Sequence, residues 1–242
     1  MQDLLRYSII NKKNPREIVL LRGRGCEWKK CSFCDYHLDC SKDVKANFSI
    51  NKKALDQVTG MYHSLEVINS GSFTNLDTDT IAYIQQCCAD KKITSLRFEC
   101  HWLSRNSIKP LKELFRKENV IVKIKMGVES FNVPYREQFL NKGMGSVGPE
   151  EIAKFADEVC LLQGIEGQTE QSMKSDIETG LQYFERVCVN IMTPNTTSIH
   201  PDLNVQRIFR EKIAPLYIDN SRVDILFENT DFGVGGKNEI SK

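Results

Sequence analysis

Cys26, Cys31 and Cys34 stand in the stretch LRGRGCEWKKCSFCDYHLDC, residues 21–40, which holds four of the chain's nine cysteines. Spaced C-x4-C-x2-C, three thiolates are close enough along the chain for one loop to wrap them around an inorganic group. Two readings fit that spacing. A four-iron cluster held by three cysteines leaves one iron open to an outside ligand. A structural zinc would instead recruit Cys40 as a fourth thiolate and close a tetrahedral site. Disulfides are not expected, because nine is an odd number, Cys87 and Cys88 are adjacent, and the even, spaced pairs of a short secreted scaffold are missing. Cys100, Cys160 and Cys188 fall in apolar runs and read as small buried hydrophobes.

Composition narrows the partners. The 242 residues, 40% of them hydrophobic, suit one globular domain spanning 1–242. Nowhere do about 18 consecutive apolar residues occur, so no membrane partner and a cytoplasmic location are expected. A net charge of +1 is too small for a protein that gains affinity by neutralising many phosphates. The densest basic run, KPLKELFRKENVIVKIK (109–125), has helical spacing in its first half and reads as a solvated face. A small molecule is therefore expected rather than a nucleic acid.

The elements that must position the cysteines alternate along the chain. EIVLLR (17–22), LEVIN (65–69), SLRFEC (95–100), VIVKIKM (120–126), EVCLLQ (158–163) and RVCVNIM (186–192) read as strands, with RVDILFE (222–228) as a late addition. Helical periodicity fills about 51–63, 78–90, 107–117, 133–141, 149–156 and 170–184. Strand then helix, repeated, implies parallel strands with right-handed crossovers. Six units are too few for a closed eight-stranded barrel, so the expected fold is α/β, a partial (β/α)6 TIM-like barrel. Ligands of such folds gather at the C-terminal ends of the strands. Alternation puts Arg97, Glu99 and His101 on one face of the third strand, and Lys123, Lys125, Gly127 and Glu129 on one face of the fourth. NSGS (69–72), Gln163 and Asn190 end three further strands. The cysteine loop follows the first strand on the same rim, and polar strand ends around it favour a reactive centre over a structural zinc.

At these residues the chain resembles the radical S-adenosylmethionine superfamily. Phe33 matches the aromatic before the last cysteine of the family's C-x3-C-x2-C motif, although here the first gap is one residue longer. MGVESF (126–131) with LNKGMG (140–145), LLQGIEGQTEQSMKSDIETGLQYF (161–184) and MTP (192–194) are similar to the family's later strand ends. The resemblance covers roughly residues 16–200, leaving about 201–235 as a segment that shapes the substrate site. In place of the family's Gly-Gly-Glu, NSGSFTN (69–75) follows the second strand. That segment, with Glu99 to Trp102, resembles the radical enzymes of deazapurine tRNA modification.

The resemblance implies a 4Fe-4S cluster on Cys26, Cys31 and Cys34. It implies S-adenosylmethionine held by Phe33, Asn69, Ser70, Ser72, Glu99, Glu129, Gln163 and Asn190, and a flavodoxin or ferredoxin as electron donor. The expected substrate is a small deazapurine nucleotide cleaved at its N-glycosidic bond, with Arg97, His101, Lys125, Glu228 and Asp231 as candidates to bind it. Two other readings compete: radical chemistry on tRNA itself, and a zinc-stabilised nucleotide-binding module without catalysis.

Overall fold

A computed structural model describes residues 5–227. Glu228 and Asp231 lie outside the described residues. The chain divides into two compact units, Met1–Lys29 with Tyr36–Lys125, and Lys30–Asp35 with Met126–Lys242. No linker marks the later boundary, which falls inside a strand.

In the first unit β1 (Tyr7–Ile10) runs antiparallel to β2 (Arg16–Leu21). From β2 onward, β3 (Ser64–Asn69), β4 (Ser95–Glu99) and the start of β5 (Ile121–Glu129) follow in parallel, in sequence order. Register aligns Val19, Val67, Phe98 and Ile124 on one face, all fully buried. Phe98 meets Phe115 of α3 (Ile108–Arg116) at a centroid distance of 5.7 Å, so this face carries the helix layer. Glu66, Arg97, Lys123, Glu99 and Lys125 share the opposite face, as the alternation predicts.

The antiparallel β1 is not anticipated by the strand reading, and α1 is displaced from its expected place. α1 covers Val44–Leu55 rather than 51–63. Asp43 accepts the Ala46 N–H and starts the helix early. Beyond it, the buried carboxylate of Glu17 accepts the N–H groups of Thr59 and Gly60, both at 2.7 Å, and Gly60 has φ +82. Those bonds take the donors a continuing helix would use. α2 (Thr78–Asp90) lies where its periodicity put it, capped by Asp77.

The second unit holds the end of β5 and the parallel strands β6 (Glu158–Gln163), β7 (Arg186–Ile191) and β8 (Val223–Leu226). α5 (Glu170–Tyr183) approaches β7 closely at Gly180, where a Cβ would stand 2.6 Å from Val187 Cγ2. The helix expected over 133–141 is a π-helical turn, Tyr135–Phe139. It wraps around the buried Arg136, whose guanidinium donates to the carbonyls of Gly145 and Val147. α4 is shorter than expected, Pro149–Ile152. Residues 201–217, read from sequence only as part of a substrate segment, contain the helices α6 (Leu203–Ile208) and α7 (Ala214–Tyr217). Among the described residues no helix is long and apolar enough to cross a membrane.

Candidate active site

In the first unit the cysteine loop leaves β2 and is fastened at both ends. Gly23 pairs with Cys40 in a parallel bridge, and the Ser41 N–H donates to the Gly23 carbonyl at 3.0 Å. The Cys40 sulfur lies against Gly25, where a Cβ would be 2.9 Å from it and where φ is +92. Cys26 rests on the turn after β3: a Cβ on Gly71 would sit 3.0 Å from its Cα.

That turn, NSGSFTN, is held from within. Asn69 Nδ2 donates to the Ser72 carbonyl (2.9 Å), and the Ser72 N–H donates to Asn75 Oδ1 (2.8 Å). Ser70 Oγ donates to the Asp39 carbonyl at 2.6 Å, and Ser72 Oγ accepts the His101 N–H at 2.8 Å. The predicted pair Ser70 and Ser72 therefore also shape the loop. Asn69 Oδ1 is different: it is buried and has no protein partner, a condition native structures rarely leave unanswered.

Glu99 ends β4, half-buried, in register with Lys125. The His101 ring lies 6.3 Å from the Trp28 ring, nearly parallel to it. Arg97 is not brought to this rim, and Lys125, level with Glu99, reaches back from it to Glu66. Arg97 donates to Ser64 Oγ (2.8 Å), at the start of β3, and to Asn14 Oδ1 (3.1 Å), ahead of β2. Lys125 and Arg16 both pair with the buried Glu66. Burial alone would raise the Glu66 pKa, but the two cations override it and hold the carboxyl well below the usual range.

In the second unit Cys31 and Cys34 bracket a tight turn, with the Cys34 N–H donating to the Cys31 carbonyl at 3.4 Å. Three neighbours clamp it. Ser32 N–H donates to the Leu140 carbonyl (3.0 Å), Asn141 Nδ2 to the Lys30 carbonyl (2.8 Å), and Asn195 Nδ2 to the Phe33 carbonyl (2.7 Å). Asp35 accepts from the N–H and hydroxyl of Thr196. The Phe33 ring packs on Leu140, Leu162, Ile165, Met192 and Ile199, so part of its surface belongs to the core. Glu129 pairs with Lys142 at 2.7 Å.

Gln163 is fully buried, and its Nε2 donates to the Met173 carbonyl of α5. Its Oε1 is buried with no protein partner. Gln163 ends β6, as the sequence reading has it, with one side of its amide tied to α5. Asn190 is half-buried and accepts from the Cys188 thiol. Two positioning residues escaped the sequence reading. Gln168 accepts the Gly164 and Ile165 N–H groups and donates to the Leu162 carbonyl, closing the turn after β6. Asp176 of α5 accepts the Phe131 N–H at 2.7 Å, just beyond β5. The GQT signal was visible for Gln168; a lone Asp in a helix carried none.

None of the nine cysteines is in a disulfide. Among the described residues no three His, Cys, Asp or Glu side chains converge as a single metal ion requires. No family model matches the chain, and no curated protein does. A solved structure does match: queuine lyase from Clostridium spiroforme bound to SAM and queuine is 43% identical, the match covers 95% of this chain and 98% of that one, and the TM-score is 0.89.

The chain belongs to the queuine lyase family.

Kinship of this depth makes it a radical S-adenosylmethionine enzyme of the lyase class, and its fold the partial barrel of parallel strands expected from the strand and helix alternation. A chitinase from Chromobacterium violaceum (9% identity over 66% of this chain and 61% of that one, TM-score 0.32) and a spore cortex-lytic enzyme from Bacillus megaterium (11% over 69% and 44%, TM-score 0.34) are too distant to carry an argument.

The residues of this queuine lyase family member fit the groups that such chemistry needs. Cys26, Cys31 and Cys34 are half-exposed and outside any disulfide, which keeps them available as thiolate ligands. Asn69 Oδ1 and Gln163 Oε1 are buried acceptors waiting for a donor.

Proposed function

We propose that this chain releases queuine from queuosine 5′-phosphate, using S-adenosylmethionine and a 4Fe-4S cluster held by Cys26, Cys31 and Cys34. The observation that carries the proposal is the 43% identity, across nearly the whole of both chains, to a queuine lyase bound to SAM and queuine. Held by Cys26, Cys31 and Cys34, a reduced cluster would supply the one-electron chemistry that activates S-adenosylmethionine for hydrogen abstraction from the substrate ribose.

The chain's own residues bind, orient and exclude water. Asn69, with its unanswered Oδ1, accepts from the methionine ammonium in place of the superfamily's glutamate. Ser70 and Ser72 keep the turn that presents it. Glu99, Glu129, Gln163 and Asn190 serve the ribose, carboxylate and adenine, and Phe33 offers what its core contacts leave of its ring. Arg97 and Lys125 belong to the scaffold by virtue of their partners. His101, Glu228 and Asp231 remain the candidates for the nucleotide. A flavodoxin or ferredoxin is the electron donor, and nine cysteines outside disulfides support a cytoplasmic location.

The test is anaerobic turnover by reconstituted protein with a strong reductant and S-adenosylmethionine, following 5′-deoxyadenosine and queuine by mass spectrometry. Queuosine 5′-phosphate should yield both, and modified tRNA should neither react nor compete. 5′-Deoxyadenosine without free base would overturn the substrate. A colourless protein holding zinc would overturn the radical chemistry.

A further inference from the structure

Lys142 is a buried cation of the second unit that the proposed reaction does not use. Its ammonium donates to Glu129 Oε1 at 2.7 Å and lies 5.6 Å from the centroid of the Phe33 ring. Both members of the ion pair have side chains only 9% exposed. The chain makes room for them. A Cβ on Gly127 would stand 2.6 Å from Glu129 Oε1 and 3.0 Å from Lys142 Nζ. Glu129 holds a left-handed backbone, φ +67, which non-glycine residues adopt only where the surroundings enforce it.

The pair is also tied to the cysteine turn. Leu140 and Asn141, immediately before Lys142, hold the backbone at Ser32 and Lys30, and Phe33, under the ammonium, stands between Cys31 and Cys34. The Glu129 carboxylate 2.7 Å away favours the charged form of the ammonium against its burial.

We propose that Lys142 is a fixed positive charge, balanced by Glu129, that sets the reduction potential of the cluster bound through Cys31 and Cys34. The inference rests on the cluster reading above. Reduction adds one electron to the cluster, a neighbouring ammonium stabilises the added charge, and a carboxylate opposes it. Lys142 is on this reading a positioning residue that need not touch the substrate.

The two charges therefore predict shifts of opposite sign. Midpoint potentials are read by EPR-monitored redox titration of anaerobically reconstituted protein without S-adenosylmethionine, alongside iron per chain. Lys142→Met should lower the potential and Glu129→Gln should raise it. Lys142→Arg should stay near the wild type. Because Lys142→Met strands a buried carboxylate, the double variant Lys142→Met with Glu129→Gln guards against a folding defect: it removes both charges and should return toward the wild-type potential. Normal iron content with unshifted potentials, or single-variant shifts of the same sign, would overturn the proposal. A wild-type protein that binds no iron would overturn the cluster reading itself, and this inference with it.

Discussion

Gly71 and Cys26 touch backbone to backbone, since a Cβ on Gly71 would stand 3.0 Å from Cys26 Cα, 3.1 Å from its nitrogen and 2.4 Å from Asn75 Oδ1. The absence of one side chain is what brings the turn after β3 against the first cysteine. Gly71→Ala should displace that loop, costing about 1–3 kcal/mol of stability as overpacking does, and should reduce the iron retained per chain. Unchanged melting with full iron content would show that the contact is slack.

Cys40 is spent on the loop's own closure, through its bridge to Gly23 and its sulfur against Gly25. Cys40→Ala should keep most of the iron, whereas Cys26→Ala, Cys31→Ala and Cys34→Ala should each abolish both iron binding and S-adenosylmethionine cleavage. Iron analysis after anaerobic reconstitution decides it. Loss of metal in Cys40→Ala as complete as in the other three would return the four-cysteine zinc site.

Asn69 and Arg97 should separate binding from scaffolding. A hydrogen bond to a charged group contributes about 1.5–3 kcal/mol, so Asn69→Ala should weaken S-adenosylmethionine about ten- to a hundredfold with the cluster retained. Arg97→Met, which strands Ser64 and Asn14 at the far end of the strands, should lower the melting temperature and leave that affinity within about twofold. Equilibrium binding on the two variants is the check, and equal losses in both would merge the roles.

Asp176 makes stability depend on pH. Burial is the main cause that pushes its carboxyl up from 3.8 to about 6, against the opposing Phe131 N–H and Ser130. The folded state thus holds the proton more tightly than the unfolded chain. Its contribution is fully present below about pH 4 and is lost as pH rises through about 6, a change of at most about 3 kcal/mol. Asp176→Asn does not titrate, so its stability relative to the wild type should rise between those pH values and then level off. Urea unfolding of both proteins at pH 4.5 and 7.5 measures this, and a difference that stays constant would rule it out.

Much of this molecule was legible because the signals are local. Three cysteines within nine positions, period-two runs such as SLRFE and EVCLLQ, and the helical periodicity of 78–90 need no distant partner to be read, and β4, β6 and α2 lie within a residue of their expected places. The alternation also put Glu99 and Lys125 on one face, where the register aligns them.

What alternation could not supply is the partner. Lys125 lies on the polar face of its strand as expected, but its fate depends on Glu66, 59 positions away. Arg97 is likewise bound by Asn14, 83 positions away. α1 ends early because Glu17, 42 positions upstream, takes the Thr59 N–H. By itself the sequence determined the order of elements, the cysteine spacing and the faces on which polar residues fall, since each follows from spacing along a few residues. Only the tertiary structure decided which buried charges neutralise one another and which acceptors are left waiting, because burial makes an unpaired charge costly and the partner that relieves it comes from wherever the fold places one.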